Sequence, residues 1–339
     1  QARLDHQLEY WKKRLAPRSR RLNMPFDRER PALQTYKGGQ VAIEAPPDLI
    51  ARARALARPQ GASLYMLLLG VFNILLYRWT GQNSLCIGTP MAGRTMKETE
   101  PLIGFFVQTV VLGCDISDKI SFLDYLVQVR ESVLEAQANQ DVPFERIVQA
   151  LSTERDLSMT PLFQVFFNHV TSQLKASESY DQTALHAERF LPYQGEIESK
   201  FDLTFYVEEF WSKVNLRIVY NSDLFDTIRI EEFLAQYLLL LEQIIANPEE
   251  SVGRYSLVTA AAQGKLPDLT RTLASTWSGS IPDRFSRHAQ QRPAKMALID
   301  SNLSLSYEEL NKLSHVLSRK LLSHGIGRDD TVAVWGHRS

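Results

Sequence analysis

Residues 64–94 read LYMLLLGVFNILLYRWTGQNSLCIGTPMAGR, and this stretch decides the fold class. Its first fourteen residues are apolar apart from Gly70 and Asn73. They fall short of the ~20 residues a bilayer span needs, which makes them a buried core helix. Thr80-Gly81-Gln82-Asn83 then supplies turn chemistry, and LCIGTP is an apolar run short enough for a buried strand. A buried helix followed at once by a buried strand is α/β patterning.

The same alternation extends in both directions. Upstream, Leu4, Leu8, Trp11 and Leu15 share one helical stripe. A passage through Pro17, Pro25 and Pro31 follows, GGQVAIEA (38–45) alternates as a strand, and Pro46-Pro47-Asp48 opens a helix that should stop near Pro59-Gln60-Gly61. Downstream, PLIGFFVQTVVLGCD (101–115) reads as a strand. Phe122, Leu126, Val129, Val133 and Leu134 recur at helical spacing up to Asn139, and a short helix should start near Pro143. PLFQVFFNHV (161–170), KFDLTFYVEEF (200–210) and VNLRIVYN (214–221) give three further strands, and Asp226 is placed to cap a long helix reaching Asn247-Pro248. Residues 251–276 have linker composition. A second unit, 277–339, then holds a helix over 281–291, a strand MALID (296–300), LSLSYEEL (303–310) leading into a helix that ends at His324-Gly325, and an apolar strand TVAVWG (331–336). So few elements cannot close a core, so this unit reads as truncated.

At 339 residues the chain has room for about two domains. Hydrophobic residues at 44% and charged residues at 23% are globular proportions, which excludes a disordered or fibrous protein. Lys plus Arg at 38 against Asp plus Glu at 39 leaves a formal charge of -1, so no general field draws the chain to nucleic acid or to an anionic membrane. Cys86 and Cys114 lie far apart in apolar runs, unlike a disulfide framework or a zinc site, and suit a reducing cytoplasm. The first residue is Gln, with no signal-peptide pattern after it, as expected of a piece of a longer chain.

Several chemistries find no motif. There is no Gly-x4-Gly-Lys-Ser/Thr loop, since Gly264-Lys265 runs into Leu266, and no Gly-x-Ser-x-Gly or His-Glu-x-x-His. His169, at the end of an apolar strand, is read as a hydrogen-bonded structural histidine ahead of a general base. The basic run KKRLAPRSRR (12–21) is read as a solvated face or a contact with a neighbouring domain, because no aromatics interleave it. Asp141 and Glu145 bracket Pro143-Phe144 either as a carboxylate pair or as a capping Asp141 with an exposed Glu145. Gly88, Pro90 and Gly93 around Thr89 and Arg94 suit a tight strand exit, where Arg94 either offers a fork to a carboxylate or closes a structural turn through an ion pair. Gly104 beside Phe105-Phe106 permits close packing at a strand start, and alternation sends Gln108 to the face opposite Val107. If that face lines a tunnel, Gln108 can hydrogen-bond an amide or thioester carbonyl.

In order along the chain, LEYWKKRLA, LNMPFDRERP, IGTPMAGR, PLIGFFVQT, NQDVPFERIV, RDLSMTPLFQVFF, KFDLTFYVEE and YNSDLFD together resemble the condensation domain of nonribosomal peptide synthetases. The resemblance covers residues 1–250 and implies the C-terminal lobe of a fold similar to chloramphenicol acetyltransferase, a mixed sheet with flanking helices. Residues 303–339, around Leu305, Tyr307 and Leu310, are similar to the opening of an adenylation (AMP-binding) domain, a truncated α/β N-terminus without its Gly-rich loop or its adenylating Lys. The resemblance implies peptide-bond formation between thioesters held on the phosphopantetheine arms of upstream and downstream peptidyl carrier proteins. It implies no directly bound cofactor, with ATP needed only by a complete adenylation domain. The family's catalytic His-His-x-x-x-Asp-Gly lies on the other lobe and does not occur here. No catalytic residue is therefore assigned. Gly88, Thr89, Pro90, Arg94, Gly104, Phe105, Gln108, Asp141, Pro143 and Phe144 become tunnel or lobe-interface candidates, with Arg94 paired to an Asp of the missing lobe. Where the family more often has Asn, this chain has Gln108. The further partners implied are the N-terminal lobe and the rest of the adenylation domain. An epimerization or heterocyclization relative, and a noncatalytic carrier-docking platform, are the alternatives.

Overall fold

The computed structural model describes residues 2–18, 21–94, 96–99, 101–151, 156–172, 197–210, 213–267, 279–300, 303–327 and 330–333. The chain divides into two units, 1–266 and 267–339. In the first, α1 (Ala2–Leu15) turns Trp11 and Leu15 inward. β1 (Gly38–Glu44) leads to α2 (Pro47–Ala57), which ends in a 3-10 turn at Arg58–Gln60. α3 (Leu64–Thr80) starts on a Ser63 cap and ends at Gly81, whose φ of 67° only glycine adopts without strain. β2 (Ser84–Met91), β3 (Gln108–Asp115), α4 (Phe122–Ala138), α5 (Phe144–Ala150), β4 (Val165–Ser172), β5 (Leu203–Phe210), β6 (Lys213–Asn221), α6 (Thr227–Ala246) and α7 (Ala260–Gln263) follow.

The six strands form one mixed sheet in the order β1-β6-β5-β4-β2-β3. β2, β4 and β5 run parallel to one another, and the other pairs are antiparallel. A parallel neighbour needs a crossover, which α4 and α5 supply between β2–β3 and β4. Phe72 of α3 meets Phe167 and Phe205 on one face at 5.4 and 5.1 Å between ring centroids, and Tyr237 of α6 meets Phe205 at 4.6 Å. All four rings are buried, each stabilising by roughly 1.5–3 kcal/mol. On the opposite face Phe163 covers Gly88 so closely that any Cβ there would force it aside. α3 is buried almost all round, as its composition requires, and no single described helix is long and apolar enough to cross a membrane.

Four sequence expectations are corrected. β3 begins at Gln108 rather than near Pro101, because its ladder partner β2 ends at Met91. Leu134 stands half exposed on the outer side of α4, while Tyr125 and Ala136 complete the buried stripe. Asp226 occupies the N-cap position of α6 without a side-chain cap bond, since its carboxylate pairs with Arg28. The supposed linker opens in packed structure: Val252 and Tyr255 are buried, and Arg78 donates to the carbonyls of Gly253 and Tyr255 at 3.1 and 2.9 Å. Residues 268–278 of that linker lie outside the described residues.

The second unit contains α8 (Ile281–Gln291), β7 (Met296–Ile299), β8 (Ser304–Ser306) and α9 (Tyr307–Ser323), with capping boxes at Ser280/Asp283 and Ser306/Glu309. Only Ala289 among its described residues is buried, so it closes no core of its own. Thr331 to Ala333, the described part of the expected last strand, makes no strand pairing; 334–336 lie outside the described residues.

Candidate functional site at one end of the sheet

The ends of β2, β4 and β5 and the start of β3 meet at one end of the sheet, as their pairing requires. There Thr89 is fully buried; its hydroxyl donates to the Phe167 carbonyl at 2.9 Å and lies 2.9 Å from the Tyr65 hydroxyl. Desolvation pushes the Tyr65 pKa to about 12, so the phenol keeps its proton. Two residues beyond β2, Gly93 has φ 65°, and a Cβ there would collide with the Phe106 carbonyl oxygen. The expected tight strand exit is therefore real at Gly93, and both its dihedral and its close approach demand glycine.

Arg94 then organises the loop. Its guanidinium donates to the carbonyls of Thr99 and, at 2.9 Å, Leu102, and lies 4.3 Å over the centroid of the Phe106 ring. Backbone carbonyls and a π-face thus occupy the fork. Held in this way, the segment turns its apolar residues outward: Ile103 is 104% and Phe105 93% exposed, and Met96, Leu102 and Val107 are exposed as well. Gly104 lies in a bend of this loop and not in a strand.

The ten candidate residues are not brought together: Arg94, Gly104 and Phe105 lie in the loop, and those on the strands divide between two faces. Gln108 pairs with Met91 and shares the side of Thr89 and Val110, the face carrying Phe167 and the helices. Gly88 and Pro90 point to the opposite side, where Phe144 meets Phe163 at 5.5 Å between centroids. Asp141 does not cap α5, whose N-cap is Pro143. Its carboxylate instead takes the Gln7 amide at 2.9 Å and Arg3 at 2.6 Å, while its N–H returns to Gln7 at 3.1 Å. Trp11 donates to the Asn139 carbonyl at 2.8 Å, so residues 139–141 are fastened to α1. Glu145 is exposed, as expected.

Gln7 escapes sequence reasoning because a lone Gln in an amphipathic helix reads as surface. Three of the four charged residues of LNMPFDRERP hold the first unit together: Asp27 takes Arg229 at 2.6 Å, Arg28 pairs with Asp226, and Arg30 makes a fork on Asp202. Burial raises the Asp202 pKa against the pull of Arg30. No group of three potential metal ligands occurs among the described residues. A cavity of 210 Å³ beside α4, lined by Arg14, Cys114, Asp115, Tyr125, Glu131 and Glu135 among others, contains none of the ten candidates.

Residues 1–266 match the family described as condensation domain, and 285–339 match AMP-binding enzyme. Tyrocidine synthase 3 of Brevibacillus parabrevis is 32% identical over 332 residues, which cover 97% of this chain and 5% of that protein. Phosphinothricin tripeptide synthetase PhsB of Streptomyces viridochromogenes is 33% identical over 338 residues, 98% of this chain and 28% of that protein. The chain thus spans a small part of these relatives. Among solved structures, the X-domain complexed with OxyB from teicoplanin biosynthesis has TM-score 0.65 at 26% identity, over 75% of this chain and 56% of that one. Holo-AB3403, a four-domain nonribosomal peptide synthetase bound to AMP and glycine, shares the fold with TM-score 0.70 at 24% identity, over 96% of this chain and 26% of that one.

Proposed function

This chain belongs to the condensation-domain family and continues into the start of an AMP-binding enzyme, and on that premise we propose that its first unit is the C-terminal lobe of a peptide-bond-forming condensation domain. In this reading the amine of an aminoacyl thioester on a downstream carrier attacks the carbonyl carbon of an upstream carrier-bound acyl thioester. The C–N bond forms, the C–S bond breaks, and the proton lost by the amine ends on the departing pantetheine thiol. Such a reaction gains most from alignment in a dry channel, where positioning contributes ~7–11 kcal/mol in favourable cases. The lobe supplies a wall of that channel. The lobe bearing His-His-x-x-x-Asp-Gly supplies the proton chemistry.

The observation that carries this reading is the loop after β2. Arg94 holds it from within while Ile103 and Phe105 stand fully in solvent. A brace that leaves large apolar side chains in solvent suits a surface shaped for a protein partner, and we assign that partner as the N-terminal lobe. Arg94, already seated on two carbonyls, acts as the loop's internal brace and reaches the Asp of the other lobe only at the cost of those bonds. The second unit, with its single buried residue, is in the same terms the opening of an AMP-binding domain whose remainder completes its core. ATP belongs to that complete domain, and the two buried free thiols fit a reducing cytoplasm.

The test is aminolysis with both carrier proteins loaded. The chain by itself should show no turnover, and the same chain joined to its N-terminal lobe should release dipeptidyl product on the downstream carrier. Turnover by the chain alone would refute the division of labour. A completed domain that binds both carriers without turnover would establish a docking platform instead.

A further inference from the structure

The proposed reaction leaves unused a set of titratable side chains at the same end of the sheet. His169, near the end of β4, lies level with Val207 on the helix-covered face, and Glu209 follows on the same side of β5. The Nε2 atom of His169 is buried without a hydrogen bond and faces Glu209 Oε2 at 3.4 Å. The other oxygen of Glu209 takes Arg54 of α2 at 2.6 Å. Tyr65 lies parallel to the imidazole, with 6.2 Å between centroids and 2° between planes, and is itself fixed by Thr89. The ring is therefore flanked on two sides, by Glu209 at its edge and Tyr65 at its face.

Burial lowers the His169 pKa more than Glu209 raises it, so the ring is neutral at pH 7. A neutral imidazole has one N–H and one acceptor, and the negative charge of a carboxylate 3.4 Å from Nε2 favours the N–H on that nitrogen. With the N–H on Nε2, the lone pair is on Nδ1, which has no hydrogen bond to any described residue; the side chain keeps 11% of its surface open. The carboxyl ends of parallel strands are where α/β sheets hold their ligands. Thr89, Met91 and Gln108 lie at this same end and on this same face.

We propose that His169, oriented by Glu209 and Arg54, accepts a hydrogen bond through Nδ1 from an N–H or O–H group of the carrier-bound substrate and thereby positions it. The inference rests on the condensation reading above. Its ligand chemistry is specific: the Nδ1 lone pair takes a donor group and repels the oxygen of a carboxylate or phosphate.

Two measurements test it together. In the completed condensation domain with both carriers loaded, His169→Leu should lower single-turnover aminolysis about ten-fold, the worth of one neutral hydrogen bond. His169→Asn, which can place an oxygen near Nδ1, should recover most of that loss, and thermal unfolding of both variants should stay near wild type. In the chain as it stands, nitrogen-15 NMR of the imidazole should show the Nε2–H tautomer, and a glycyl amide analogue of pantetheine should move the Nδ1 resonance. Loss of the tautomer preference in Glu209→Gln would support the orienting role. If the wild-type domain is active and His169→Leu retains its full rate, the proposal is overturned. If the wild-type domain is inactive, the condensation reading fails, and the resonance decides separately: a shift on adding the analogue supports the site, and an unmoved resonance overturns it.

Discussion

Replacing Gly93 by Ala should disconnect the loop after β2 from its brace while leaving the first unit folded. Two costs act at this position. A side chain at φ 65° is left-handed, worth roughly 1–2 kcal/mol, and the new Cβ would lie more than about 1 Å inside the 3.4 Å of ordinary contact with the Phe106 carbonyl oxygen. Gly81 separates the two. It has φ 67° with nothing within 4 Å of its would-be Cβ, so Gly81→Ala carries the dihedral cost alone. To relieve the overlap in Gly93→Ala, the chain must part residue 93 from Phe106, and Arg94 then loses its seat over that ring. Trypsin reads this directly, because cleavage after Arg94 requires the loop to open and its arginine to leave the Thr99 and Leu102 carbonyls. Gly93→Ala should be cut there at least ten-fold faster than wild type, and Gly81→Ala at the wild-type rate. In the completed domain a shift of ~1 Å in a positioning loop can cost about 100-fold in turnover, whereas Gly81→Ala should lose stability and little rate. Equal cleavage of Gly93→Ala and wild type at Arg94 would refute the claim that this approach organises the loop.

Asp202→Asn should destabilise the first unit by about 3–5 kcal/mol in urea unfolding, because it strands the buried Arg30 guanidinium; Arg30→Met with Asp202→Leu should recover most of that loss, and an Asp202→Asn cost under about 1 kcal/mol would show that the pair is solvated. Burial works against the Asp27 carboxylate, yet the Asp226 N–H and Arg229 outweigh it and hold its pKa below the usual 3.8. The stabilisation is therefore complete above that value and disappears as pH falls through the lowered one, so Arg229→Met should flatten the acid limb of a Tm-against-pH curve and leave the limb above pH 5 unchanged in slope. Burial pushes the Cys114 thiol to about 12, so native protein at pH 8 should resist iodoacetamide at Cys114 for hours and react on adding urea; prompt native labelling would show that the cavity beside Tyr125 opens.

The strands and helices were legible wherever periodicity met a clear stop. Ser63 and Gly81 bound α3, and the β-branched and aromatic runs of β4, β5 and β6 leave few other readings. What failed to show were properties set by partners distant in sequence. The start of β3 at Gln108 depends on where β2 ends, and Asp141 binds Gln7, 134 residues away, instead of its own helix. Asp226 reads as a cap on local grounds that hold for most helices, but Arg28 takes its carboxylate. His169, Glu209 and Arg54 come from three segments; Glu209 closes the run KFDLTFYVEE, yet nothing local singles it out, and only the parallel pairing of β4 with β5 sets it beside His169.

The motifs that carry the family resemblance therefore do two different kinds of work. Arg30 and Asp202, at 10% and 4% side-chain exposure, lie in segments that resemble family motifs, yet they hold the segment before β1 against the start of β5. Arg28 and Asp27 do the same against Asp226 and Arg229 near the start of α6. The residues around the β2 exit differ in kind, because their constraint creates exposure. Gly93 permits the approach, Arg94 holds the carbonyls, and the result is Ile103 and Phe105 in solvent. The first unit by itself gains nothing from holding two large apolar side chains in water, since each forfeits roughly 1.5–3 kcal/mol of burial. On the proposed reading, a second surface receives Ile103 and Phe105 and recovers that burial.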